Sequence, residues 1–326
     1  MNRREFLKSA LTLAALTPMA GFLMRAEEKK ALSPATVYFT PEISPESVIR
    51  MYHALGTALP GNVAVKVHSG EKGNQNYLRP EFLRPMIEAV KGTVVECNTA
   101  YEGARNSTEK HRKLIAEHGW TKYFKVDLMD AEGPDLVLPI PKGKILKRNY
   151  VGKNMANYRS MLVLSHFKGH PVAGYGGALK QLSIGCASTR GKALIHSGGV
   201  SGDQAECWKH MATPEVFGDA MAEAAGTILS YFRGRIAFVN MMCNLSVDCD
   251  CCAVAENPCM KDIGILSSTD PVALDQACMD LIRQSKDPGR DHFLERVTTR
   301  GGTRVIDTAA KLGIGSRQYQ LIRISV

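Results

Sequence analysis

The chain has 326 residues, 44% of them hydrophobic, nine cysteines and a formal net charge of +9. This apolar content excludes a disordered chain, and the length allows one large domain or two intimate lobes around a sizeable core. Residues 1–26 carry four basic side chains and one acidic one, so +6 is left for the rest. With no lysine run interleaved with aromatics, nucleic-acid binding is not expected.

The chain opens Met1-Asn2-Arg3-Arg4-Glu5-Phe6-Leu7-Lys8, then runs mostly apolar and uncharged from Ser9 to Met24 before a charged turn at Arg25–Lys30. This is the layout of a targeting peptide, and the paired arginines before Phe6-Leu7-Lys8 make it the twin-arginine kind. The apolar run holds Pro18 and Gly21 and is about 16 residues long, short of the roughly 20 a membrane span needs. Residues 1–30 are therefore read as a twin-arginine signal peptide, cut after Ala20 or Ala26. The alternatives are a retained anchor or a buried N-terminal helix. Residues 31–326 are then a single α/β domain in the periplasm or otherwise outside the cytoplasm, with no stable membrane span after cleavage. The twin-arginine translocase is the expected partner during export. That route carries folded passengers, so a cofactor can be loaded first.

Strand and helix signals alternate along the rest. Thr36–Thr40 is β-rich. Pro45–Leu59 reads as helix, with Ser44 at the N-cap and Pro45 at the first helical position. Val63–His68 alternates as a strand, Pro80–Lys91 as a helix, and Thr93–Cys97 as a strand. A charged amphipathic helix over Ser107–His118 precedes a strand over Tyr123–Leu128. Met161–His166 is an apolar run ending in polar residues. Pro214–Phe232 is a long helix, Arg235–Met242 a strand and Ile263–Ser267 another. Asp270 and Pro271 open the helix Val272–Gln284, and two short helices and a strand near Tyr319–Ile324 end the chain. The pattern predicts an α/β fold with a mostly parallel or mixed sheet flanked by helices.

Several polar clusters fall at predicted strand ends, where open α/β sheets bind ligands. Ser165-His166-Phe167-Lys168-Gly169-His170 puts His166, Lys168 and His170 on one face if the chain stays extended. There they could shuttle protons, bind an anion or ligate metal; a solvated strand end is the plainer alternative. Glycine-rich sequence follows, with Gly176, Gly177 and Lys180, then Cys186, Arg190, Lys192 and His196. It is neither a dinucleotide fingerprint nor a Walker loop, and suits a ligand-facing loop in which Lys180, Arg190 and Lys192 supply positive charge. Lys66-Val67-His68 and Asn98–Arg105 are weaker signals of the same type.

The cysteines crowd at Cys249-Asp250-Cys251-Cys252, with Cys259 seven residues further on. On extended chain, alternate side chains share a side, so Cys249 and Cys251 could grip one metal or one edge of a cluster. Soft thiolates select zinc, copper(I) or iron–sulfur centres. Disulfides are the alternative outside the cytoplasm, although Cys249, Cys251 and Cys252 are too close for comfortable pairing with one another. Cys97 and Cys278 lie in apolar stretches and read as buried thiols.

Together, "VLSHFKGHPVAGYGGALKQLSIGCASTRGKALIHS", "DCDC" and "DIGILSSTDPVALDQACMDLI" resemble the uncharacterised iron–sulfur-centre proteins, domain of unknown function 362. "KVHSGEKGNQNYLRPEF" and "ECNTAYEGARNSTEKHRKLIAEHGW" resemble that family's N-terminal part. The resemblance implies a cluster held partly by Cys249 and Cys251, with Cys186, in the "GCAS" block, as a third ligand; a [4Fe-4S] cluster is the form expected for an enzyme of this kind. Cys252 and Cys259 are further candidates by proximity alone, and His196 is a fourth ligand or a lining residue. Typical relatives insert a ferredoxin-like segment after the His-Ser matching His196-Ser197. Here "GGVSGDQAECWKHM" follows instead, which removes the usual electron-relay clusters.

The expected function is that of an exported redox or lyase-type enzyme acting on a small anionic substrate. Lys168 and Arg190 would hold the anion and a histidine would move protons. Two alternatives stand beside it: a non-catalytic carrier or assembly protein for a metal or cluster, and a disulfide-bonded binding protein without cofactor.

Overall fold

The computed structural model describes residues 34–324. The signal-peptide reading of residues 1–30 lies outside them. The elements, in chain order, begin with β1 (Ala35–Thr40), α1 (Pro45–Ala54), β2 (Val63–Lys66), α2 (Pro80–Ala89), β3 (Thr93–Glu96), α3 (Thr108–Glu117) and β4 (Val126–Leu128). The hairpin β5 (Leu136–Pro139) and β6 (Arg148–Val151) follows, then β7 (Ser160–His166) and a second hairpin, β8 (Lys168–His170) and β9 (Gly174–Gly176). After them come α4 (Thr189–His196), α5 (Pro214–Tyr231), β10 (Ile236–Met242), β11 (Gly264–Ser268), α6 (Pro271–Gln284), α7 (Arg290–Thr299), α8 (Arg304–Lys311) and β12 (Tyr319–Arg323).

Local chemistry sets the helix ends. The Ser44 hydroxyl accepts from the Ser47 amide at 3.1 Å and caps α1. That helix stops at Ala54, short of the expected Leu59, because Gly56 takes a left-handed φ of +58° and its amide folds back onto the His53 carbonyl at 3.0 Å. Asp270 accepts from the amides of Val272 and Ala273, 2.9 Å each, and starts α6 as the sequence predicts. The expected strand over Tyr123–Leu128 shortens to β4, because the segment from Trp120 first makes a 3₁₀ turn.

The strands form one eight-stranded mixed sheet in the order β12-β1-β11-β10-β7-β2-β3-β4. β11 is antiparallel to both of its neighbours, and every other pairing is parallel. Side chains alternate across it, as period two requires. Met161, Val163, Phe238 and Met242 pack under the face that α5, α6 and α8 cover. Leu162, Leu164, Ala237, Val239 and Met241 pack on the opposite face, with Met51 of α1 and Leu83 and Met86 of α2. No helix among the described residues is long and apolar enough to cross a membrane.

The chain runs outward from β2 through β3 to β4 on one side, and from β7 to β10 on the other. β2 and β7 are paired neighbours, so the strand order reverses between them. Ligands bind open α/β sheets at such a point, outside the carboxyl ends of the strands. Here the segments leaving β2, β3, β7 and β10 meet there.

Candidate active site and metal centre

The cysteine-rich segment leaves β10, and its backbone is held by the segment that leaves β2. Asn74 Nδ2 donates to the carbonyls of Cys249 (3.2 Å) and Cys252 (2.9 Å), and the Glu71 amide donates to the Asp250 carbonyl at 2.7 Å. Gln75 and Asn76 donate to the carbonyls of Ala255 and Glu256, 2.8 Å each. The chain is not extended, as the C-x-C reading assumes. It turns at Asp250–Cys251, with the Cys252 amide donating to the Cys249 carbonyl at 2.9 Å.

The thiols converge all the same. Cys249 Sγ, Cys251 Sγ and a ring nitrogen of His170 lie within 4.8 Å of one another, and this group could hold a metal. His170 Nε2 is 3.4 Å from Cys251 Sγ. Burial pushes the Cys249 thiol up to about 11. A hydrogen bond with Cys249 lowers Cys251, but contact with Cys252 and burial more than offset it, leaving Cys251 also at about 11. The Cys252 thiol is lowered by its hydrogen bond with Cys251. Two converging thiols suit a thiophilic metal or an iron–sulfur centre, whose binding displaces their protons. All nine cysteines are unbridged.

Asp250, between the two thiols, is wholly buried. Its carboxylate lies 2.8 Å from His166 Nδ1 and 2.8 Å from Lys168 Nζ. Burial alone would raise this carboxyl, but His166 and Lys168 hold it well below the usual range. The other ring nitrogen of His166 donates to the Cys243 carbonyl at 2.6 Å. β7 ends at His166 and β8 begins at Lys168 in a separate two-stranded sheet; of the three residues expected on one face, His166 and Lys168 meet at Asp250, and Lys168 and His170 line the cavity. His166 braces the cysteine segment from behind, whereas Lys168 and His170 face the cavity.

That cavity, of about 220 Å³, opens beside the thiols of Cys251 and Cys252. Its floor is a buried charge network. Lys66 Nζ pairs with Glu96 at 2.7 Å and also reaches the Val67 carbonyl. Arg105 pairs with Glu71 at 3.2 Å and contacts the Tyr101 hydroxyl. Burial would raise the Glu96 carboxyl, but Lys66, His68 and Arg105 hold it far below the usual range. Lys192 donates to the Ala187 carbonyl at 2.6 Å, and burial lowers its ammonium. Among the described residues, Lys180 has no carboxylate partner. Gln181 is 7% exposed, lines the cavity and, among the described residues, has no partner for its Nε2. Of the glycines singled out in the sequence, Gly176 and Gly177 line the same cavity.

His196 also lines it. Its Nδ1 donates to the Lys192 carbonyl at 2.7 Å, and burial holds the ring down at about 4, so the neutral ring keeps a bare Nε2. The remaining expected residues lie elsewhere. Cys186 is fully buried, is not among the lining residues, and burial pushes its thiol up to about 11. Cys259 donates to the Leu245 carbonyl at 3.3 Å and stands outside the His170–Cys249–Cys251 group. The Arg190 guanidinium stacks 4.1 Å over the Tyr150 ring, away from the cavity lining. The glycine-rich loop expected after β9 is mostly helical: Ala178–Lys180 continues as one π turn over Gln181–Gly185, and α4 is capped by Ser188. Such π turns often occur at functional sites.

Asp250, Glu71, Glu96 and Gln181 gave no distinct signal in the sequence. The Lys66–His68 and Asn98–Arg105 strand ends did, weakly. Only the parallel order of β2 and β3 brings those two together.

The sequence profile of a family described as a domain of unknown function (DUF362) matches residues 63–280, more than half of the chain. Among solved structures, the lactate racemase apoprotein from Thermoanaerobacterium thermosaccharolyticum is 13% identical, with a TM-score of 0.38 over 63% of this chain and 50% of that one. A protein from Thermotoga maritima is 11% identical, with a TM-score of 0.42 over 82% of this chain and 58% of that one. The chain thus spans between half and three fifths of these two proteins. No curated protein matches.

Proposed function

The chain belongs to the domain of unknown function 362 family, and from that premise we propose that it is a metal-dependent enzyme of redox or lyase type acting on a small anionic substrate. In this reading Cys249 and Cys251, with Cys252 beside them, hold a soft metal centre, a [4Fe-4S] cluster in its most specific form. The observation that carries it is the convergence of His170, Cys249 and Cys251 at the rim of a cation-lined cavity. The donor chemistry fits, since thiolates are the ligands such centres use. Cys186 and Cys259 do not contribute, so the chain offers fewer thiolates than the four of a fully protein-ligated cluster. When bound, the centre would supply electron transfer or a Lewis-acidic position next to the substrate.

The chain's own residues have separable tasks. Lys180 supplies positive charge to the anion and Gln181 a hydrogen bond, because the buried Gln181 Nε2 is costly without a partner and a carboxylate oxygen relieves it. Lys192 adds positive charge nearby. His196 accepts a proton at Nε2 while the Lys192 carbonyl fixes its tautomer. Lys66, Glu96, Arg105 and Glu71 neutralise one another and hold the floor rigid. The exported, extracytoplasmic location belongs to the same proposal, and Arg3, Arg4 and the apolar stretch after them support it.

A second reading, a non-catalytic metal carrier, draws on Cys251 and Cys252 being only half-buried and therefore reachable by a partner. One experiment separates the two. In the chain reconstituted anaerobically with iron and sulfide, small carboxylates should perturb the visible spectrum. Lys180→Gln should weaken their binding by about tenfold, the value of one charge-assisted hydrogen bond. A spectrum that no small carboxylate alters would reject the enzyme reading in favour of the carrier.

A further inference from the structure

His170 closes the turn of the β8–β9 hairpin with its own ring. The amides of Val172 and Ala173 lie 3.0 Å and 2.8 Å from His170 Nδ1. An amide N–H can only donate, so Nδ1 accepts and carries no proton. With Nδ1 bare, the proton of the ring sits on Nε2, 3.4 Å from Cys251 Sγ. A histidine that ligates metal through Nε2 needs the opposite arrangement. It presents the Nε2 lone pair and donates its other ring N–H to a carbonyl or carboxylate. Here that second proton would point at two N–H groups.

We propose that His170 is a hydrogen-bond donor to the Cys251 sulfur and not itself a ligand of the metal, an inference that rests on the metal-binding reading above only for its effect on a bound centre. An N–H···S bond draws electron density from the sulfur, and hydrogen bonds to ligand sulfurs help to set the potential of an iron–sulfur centre. His170 is thus a positioning residue: it orients Cys251 and makes the centre easier to reduce. The hairpin cannot retreat from this contact. The Gly169 amide donates to the Ser246 carbonyl at 2.8 Å, and the glycine packs directly on the Val247 backbone.

Long-range ¹H–¹⁵N NMR of the metal-free full chain reads the tautomer without any substitution. A proton on Nε2 and a bare Nδ1 are expected, and a proton on Nδ1 overturns the proposal whether or not metal binds. Anaerobic loading with iron and sulfide then compares wild type with His170→Ala, His170→Gln and Cys251→Ser. The two His170 variants should keep the wild-type iron stoichiometry, with affinity weakened by about tenfold, the cost of losing an outer-sphere partner. The reduction potential should fall in His170→Ala and recover in His170→Gln, whose amide still donates. Iron lost from both His170 variants as completely as from Cys251→Ser would overturn the proposal. Failure of the wild type to take up iron would reject the metal-binding reading, and the tautomer would still decide the role of His170.

Discussion

Asp250 stands between two cysteines that converge on one point, and its own carboxylate joins His166 and Lys168 in a place water does not reach. The sequence displays all of these residues but not their division of labour. A carboxylate between two thiols reads as a spacer until the turn at Asp250–Cys251 is known. His166, which the sequence offers as a catalytic group, has both ring nitrogens engaged, by Asp250 and by the Cys243 carbonyl. Buried ionisable groups of this kind make the fold sensitive to acid. Burial holds His111 at about 3 and His196 at about 4, against 6.5 for the free ring. Both stay neutral in the folded chain while the unfolded chain protonates below 6.5, so they cost nothing above that pH. As the pH falls from 6.5 toward 4, each should remove about 1.4 kcal/mol of stability per pH unit. Glu96 and Asp250, whose folded pKa values are depressed, add a further loss as the pH drops below the ordinary carboxylate range. Urea unfolding at neutral pH and at about pH 5 checks this: wild type should weaken over the interval, and His111→Gln should weaken less. Equal slopes would contradict the assignment.

The regular elements were the most legible part of the chain. Apolar strands such as Met161–His166 and capped helices such as Pro271–Gln284 carry their own local signals, and the sheet is mixed and mostly parallel as their alternation predicts. The two hairpins were not legible. β8 and β9 have three residues each, too few for a periodic pattern, and Lys168-Gly169-His170 reads as a continuation of β7. Their position depends instead on close backbone approach. A Cβ on Gly169 would sit 2.5 Å from Val247 Cα and closer still to the Val247 carbonyl oxygen. Gly169→Ala should therefore push the hairpin off the cysteine segment, destabilise the chain by about 1–3 kcal/mol and reduce metal loading. Thermal unfolding and iron content measured on the same preparation test this, and a variant with wild-type stability and loading would show that the hairpin does not brace the site.

At the scale of the whole molecule, the reversal of strand order between β2 and β7 collects residues from four distant stretches of sequence. Lys66 and His68, Tyr101 and Arg105, Lys168 and His170, and Cys251 and Cys252 meet at one cavity because the strands that precede them lie side by side. Strand-end polarity marks each stretch, but their meeting is a property of topology, which single-sequence patterns do not contain. The cysteine crowd was the exception: its local density pointed to a metal before any fold was known, whereas Cys186 and Cys259, assigned by family resemblance and by proximity, stand apart from it. Metal at Cys249 and Cys251 is thus the central expectation for this chain. The direct test is iron, zinc and acid-labile sulfide content of the full chain purified without oxygen from its native host, beside a Cys249→Ser/Cys251→Ser variant. Iron with matching sulfide is expected in the wild type, and loss of both in the variant. A wild type without bound metal, or metal retained in full by the variant, would contradict that expectation.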